Sequence, residues 1–171
     1  GSVLLNLDSE EHGQLVIGCA GSQATLCHYP YTSAEAPEGY TFFEAEIKGL
    51  KGGHSGMEIH LGRANANQQL ARFLWESEQK FGLALNDFAG GGLPNAIPRE
   101  AKAVFGVPAE HADALRAYAI EFSDMIHAEF RLAENEDFTF TLREAVAPAK
   151  VISEPEAYAL ISTLFATPNG V

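Results

Sequence analysis

From Tyr40 onward the sequence switches from a period of two to a period of 3.6 and back, and that succession limits the fold more than any single motif. Tyr40 to Leu50 alternates Phe43, Ala45 and Ile47 with Glu44, Glu46 and Lys48, which places one set of side chains on each face of a strand. Leu61 to Lys80 recurs at helical spacing, with Leu61, Ala64, Leu70, Ala71, Phe73, Leu74 and Trp75 inward. Phe81 to Phe88 reads as a second strand broken by Gly90-Gly91-Gly92-Leu93-Pro94, and Ala101 to Val107 as a third. Pro108 opens a second amphipathic helix whose stripe runs Ala112, Leu115, Tyr118, Ala119, Phe122, Met125, Ile126 and Phe130; Phe138 to Leu142 supplies a fourth strand. Strand, helix, strand, strand, helix, strand is the split βαβ order. It predicts an α+β fold, a ferredoxin-like βαββαβ antiparallel sheet with two helices on one face.

The flanks predict additions to that core. Val3 to Leu7 and Gln14 to Ala20 read as a short N-terminal strand pair joined by the acidic turn Asp8-Ser9-Glu10-Glu11-His12-Gly13. Residues 30–39, with Pro30, Ser33, Pro37 and Gly39, read as a loop or linker. Ser153-Glu154-Pro155-Glu156 has the form of a capping box and starts a C-terminal helix with Ala157, Leu160, Ile161, Leu164 and Phe165 inward. The expected organisation is residues 1–38 as strand pair and linker, 39–150 as the ferredoxin-like domain, and 151–171 as the closing helix. Gly1-Ser2 reads as the remnant of a cleaved tag, so the chain is expected to be a segment of a longer protein.

Composition sets the class. Hydrophobic residues at 46% and charged residues at 20% are globular values and exclude wholesale disorder. Eleven basic against 23 acidic residues give a net charge of −12, which argues against nucleic acid or an anionic membrane as partner. No apolar run approaches the ~18 residues of a membrane span. Cys19 and Cys27 have no zinc or disulfide spacing and read as reduced thiols of a cytoplasmic protein.

Three positions suggest chemistry. His54 sits in the glycine-rich loop Lys51-Gly52-Gly53-His54-Ser55-Gly56, where the backbone can approach a ligand and the imidazole can project. Neutral, it suits a metal; protonated, it suits a carboxylate or a developing oxyanion; a solvated histidine on a plain turn fits the same residues. Asn95, in Asn95-Ala96-Ile97-Pro98-Arg99-Glu100, suits a carboxylate or a backbone amide, though a hairpin loop with Arg99 paired to an acid fits as well. Asp8 ends an apolar run and suits a cation, or simply an acidic turn. His12, His28, His60, His111 and His127 show no metal-ligand spacing, and no nucleophile elbow, phosphate loop or dinucleotide fingerprint is present.

Leu5-Asn6-Leu7-Asp8-Ser9-Glu10-Glu11, Ile17-Gly18-Cys19-Ala20-Gly21, Lys48 to Gly56, Gly62-Arg63-Ala64-Asn65-Ala66-Asn67 and Asn95 to Glu100 together resemble the aminoacyl-histidine (Xaa-His, carnosinase-like) dipeptidases of the dinuclear zinc metallopeptidase family. The resemblance spans nearly the whole chain. It implies a catalytic domain holding two zinc ions, with an inserted ferredoxin-like lid or dimerisation domain to which this chain corresponds, and it implies a homodimer and a dipeptide substrate. Asp8 matches a zinc-binding aspartate. His54 matches a lid histidine that stabilises the tetrahedral intermediate, and Asn95 a lid asparagine that holds the substrate's terminal carboxylate. Arg99 carries over no role. The family's His-x-Asp pair, bridging aspartate, Glu-Glu pair and late histidine ligand are missing, so this chain alone is expected to be inactive. The rival expectation is a non-catalytic ferredoxin-like module for dimerisation or ligand sensing.

Overall fold

The computed structural model describes residues 12–18, 21 and 23–170. Its centre is a four-stranded antiparallel sheet of β2 (Tyr40–Lys48), β3 (Ala84–Gly90), β4 (Ala101–Pro108) and β5 (Thr139–Glu144), in the order β3-β4-β2-β5. Helices α1 (Ala66–Phe81) and α2 (Ala112–Phe130) cover one face. This is the expected ferredoxin-like arrangement.

The alternation along β2 sets the layers. Phe43, Ala45 and Ile47 are buried with Phe105 and Val107 of β4 beneath the two helices. Phe73 of α1 lies at the centre, fully buried, with ring centroids 5.1 Å from Phe122, 4.8 Å from Phe140 and 6.2 Å from Phe105. Tilted and edge-on rings at these distances add directional attraction to their burial. On the opposite sheet face the register sets Glu46 beside Lys102 and Glu44 beside Arg143, opposite charges at neighbouring positions that suit a solvated surface. Phe42 is the apolar exception there. It is buried because Gly106 leaves room for its ring: a Cβ at Gly106 would stand 2.9 Å from it.

Several boundaries move, each for a local reason. The first helix starts at Ala66, not Leu61. Ile59–Leu61 forms a 3-10 turn ended by Gly62 at φ 68°, and Asn65 caps the true start by accepting the Gln68 N–H at 3.3 Å. The helix continues through Phe81 and stops at Gly82, φ 70°, so β3 begins three residues later than the pattern predicts. Pro108 ends β4 opposite Tyr40 instead of opening α2, and a 3-10 turn over Ala109–His111 intervenes.

The linker reading of residues 30–39 is corrected. Ser33–Glu35 is strand β1, paired antiparallel with β6 (Lys150–Ile152). This ribbon lies beside β3, where a bulge at Asn86 frees its side chain to donate to Lys150 O at 2.7 Å. The capping box at Ser153 opens α3 (Glu154–Ala166) as expected, but its side chains act differently. Ser153 Oγ donates to Glu156, and the Glu156 carboxylate accepts the Thr32 N–H at 2.7 Å and the Thr32 hydroxyl at 3.0 Å. The box ties α3 to the start of β1. Within α3, Ala157 and Ile161 are buried, and Phe165 stacks on Trp75 of α1 at 4.8 Å.

Of the expected N-terminal strand pair, Val3 to Leu7 lies outside the described residues. Gln14 to Gly18 forms no strand, and Leu15 and Ile17 are 91% and 96% exposed. A short apolar run holds a strand only where something covers it, and no described residue covers this one. No helix among the described residues is long and apolar enough to cross a membrane.

Candidate functional site

The two loops singled out by sequence meet at one end of the sheet. His54 and Ala96 form an isolated antiparallel bridge in which Ser55 N–H donates to Asn95 O at 2.9 Å and Ile97 N–H to Gly53 O at 2.8 Å. His54 and Asn95 therefore lie on adjoining backbone segments, both with exposed side chains. A hollow of about 200 Å³ opens beside them, lined in part by Gly53, Gly92, Leu93, Ile97 and Arg99. Asp8 lies outside the described residues.

The His54 ring is folded back on its own turn. Nδ1 accepts the N–H of Gly56 at 3.0 Å and of Met57 at 3.1 Å, leaving Nε2 uncommitted. Glu58 contacts His54 twice: its own N–H donates to His54 O at 3.0 Å, and its Oε2 accepts the His54 N–H at 2.8 Å. That second bond holds the Glu58 carboxyl below the usual glutamate range, with Arg63 adding to the effect and desolvation opposing it. Arg63 completes the loop, donating from Nη2 to Glu58 Oε1 at 2.9 Å and from Nη1 to Gly52 O at 2.5 Å.

Glu134, 8% exposed, clamps the base of the loop. One carboxylate oxygen accepts Lys51 N–H at 2.6 Å, just past β2, and the other accepts Ala64 N–H at 2.9 Å, just before α1. Arg99 pairs with no acid among the described residues. Its Nε donates to Leu50 O at 3.0 Å, a carbonyl left without a ladder partner once β2 has ended. Arg99 is a brace, and Gly52 admits it: a Cβ there would sit 2.4 Å from Arg99 Cγ.

Sequence reasoning singled out His54 and Asn95 and missed Glu58, Arg63 and Glu134. Arg63 stood within the Gly62 to Asn67 motif, so a signal existed for it. Glu134 falls in the acidic run Ala133-Glu134-Asn135-Glu136-Asp137, where nothing separates a buried acid from solvated ones. Among the described residues no group of three or more His, Cys, Asp or Glu side chains could hold a metal. The described residues do not by themselves make a zinc site.

Residues 45–134, which include both loops and the whole α/β core between β2 and the end of α2, match the peptidase dimerisation domain family. The chain belongs to that family. It is similar to the cytosol non-specific dipeptidase of Escherichia coli strain K12, with 41% identity over 170 residues covering 99% of this chain and 35% of that enzyme. It also resembles the crystal structure of aminoacylhistidine dipeptidase from Vibrio alginolyticus, with a TM-score of 0.77 and 37% identity over 82% of this chain and 29% of that one. The dimerisation domain thus spans about a third of the length of the curated relative it matches.

Proposed function

We propose that this chain is the lid and dimerisation domain of a cytoplasmic, zinc-dependent Xaa-His dipeptidase acting on dipeptides such as β-alanyl-histidine. What supports the reading is that the exposed His54 spends Nδ1 on its own loop, keeps Nε2 uncommitted, and sits on a segment bridged to that of Asn95. In hydrolysis of the amide, His54 Nε2 meets the oxyanion that develops on the scissile carbonyl, and Asn95 donates to the substrate's terminal carboxylate. A donor aimed at a developing oxyanion is worth roughly 10²–10³ in rate. Zinc supplies Lewis acidity when bound; Asp8 is the one ligand this chain contributes, and the rest come from outside it.

The domain also pairs two subunits. One sheet edge, β3, is flanked by the β1–β6 ribbon, whereas no described strand pairs with the outer edge of β5. Beside that edge a groove of about 360 Å³ runs between β5 and α2, with Ile120 66% exposed on its rim. An open edge next to an apolar rim suits a second copy of the chain. The same edge would serve a purely non-catalytic assembly module.

The test is release of histidine from β-alanyl-histidine with added zinc, comparing the full-length protein that carries this domain with the 171-residue chain. The expected result is an active full-length protein and a silent chain. In the full-length protein, His54→Ala should lower kcat by about 10²-fold with little change in KM, and Asn95→Ala should mainly raise KM. An unchanged kcat in His54→Ala rejects the oxyanion role. Silence of both proteins leaves the assembly module as the better reading.

A further inference from the structure

Two backbone amides decide where the His54 proton sits. The N–H groups of Gly56 and Met57 both point at Nδ1, at 3.0 and 3.1 Å, and an amide N–H can only donate. A ring nitrogen that accepts from two donors has no place for its own hydrogen, so the neutral imidazole carries its proton on Nε2. The opposite tautomer would turn a lone pair toward any oxyanion at Nε2 and set two amide hydrogens against an N–H.

We propose that Glu58 and Arg63 are positioning residues, which hold the His54 turn so that its own backbone selects the Nε2–H tautomer. The proposal rests on the reading of His54 as a donor. Its structural basis is a closed circuit: Gly52 O to Arg63, Arg63 to Glu58 at 2.9 Å, and Glu58 to the His54 N–H at 2.8 Å. The circuit passes over Gly53, at φ 141°, where a Cβ would lie 2.4 Å from Arg63 Nη1 and 2.8 Å from Glu58 Oε2. The ion pair therefore lies directly on bare backbone, a placement open only to glycine. Glu58 fixes both backbone groups of His54, which sets the turn over residues 54–57 and aims the Gly56 and Met57 amides at the ring. Neither residue touches the reacting atoms in this scheme. Each acts through His54.

Long-range proton–nitrogen correlation on the ¹⁵N-labelled 171-residue chain reads the tautomer directly, at a pH where the imidazole is neutral. His54 is expected to show a single Nε2–H pattern in the unmodified chain, a mixture of tautomers in Glu58→Ala, and partial recovery in Glu58→Gln, which keeps an acceptor for the His54 N–H. In the full-length protein Glu58→Ala should lower kcat by about tenfold with KM nearly unchanged, as loss of an orienting partner does. An Nδ1–H or averaged pattern in the unmodified chain overturns the proposal, and so does an undisturbed tautomer in Glu58→Ala. The first measurement needs no variant, so misfolding of one cannot shelter the idea. If His54→Ala leaves kcat intact while the tautomer is Nε2–H, the proposed function fails and the positioning stands. A wrong tautomer with His54 still required does the reverse.

Discussion

At the scale of residues, two carboxylates make the domain's loops sensitive to acid. Glu58 is held below the ordinary glutamate value chiefly by the His54 N–H, and Glu156 chiefly by the Ser153 hydroxyl with the Thr32 N–H adding to it. A carboxylate whose folded pKa is depressed contributes stability that is present above its unfolded value and is lost as pH falls through the folded one. The His54 and Thr32 amide resonances should therefore titrate with midpoints below about 4.3, the unperturbed glutamate value, while resonances from the centre of α1 stay put. Midpoints at or above that value would contradict the geometry. At the residue scale, sequence reading found the loops and missed the acids that brace them. The segments of His54 and Asn95 were legible as loops because glycine and proline hold them out of regular structure. Glu58 and Glu134 were not, because a partner supplied by the backbone leaves no pattern in the side chains around it.

At the scale of elements, the β2–α1 connection depends on a residue 70 positions downstream of Ala64. Glu134 accepts from both feet of the loop, and Ala64 is buried. Glu134→Ala leaves those donors without a charged acceptor and should cost about 2–3 kcal/mol, measured by urea unfolding, with the His54 turn disturbed more than the sheet. A loss below ~0.5 kcal/mol would mean that water replaces the carboxylate freely. The four core strands and two helices were readable because Phe43, Ala45 and Ile47, or Leu115, Phe122 and Ile126, repeat at the period of their element. Their ends were not. Gly62, Gly82 and Pro108 each allow several terminations, and tertiary partners choose among them. β1 was invisible for a related reason: three exposed residues, Ser33 to Glu35, owe their strand wholly to β6.

At the scale of the whole molecule, charge opposes the proposed pairing of subunits. Each chain carries −12, so two copies repel until salt shortens the Debye length, from about 30 Å at 0.01 M to about 8 Å at 0.15 M. Sedimentation should show the dimer tightening as salt rises over that range, and Ile120→Glu should return the chain to a monomer at the same concentration. A dimer indifferent to Ile120→Glu would place the interface elsewhere. The molecule is also tethered twice. The polypeptide enters the four-stranded body after β1 and leaves it at β6, beside β1, and α3 then lies back against α1 through Phe165 on Trp75. Any movement of α3 away from α1 must separate the indole from the phenyl ring, and the chain has one tryptophan. The domain thus carries its own optical gauge: a change in Trp75 emission on substrate binding or subunit association would register α3 shifting against α1, without a label.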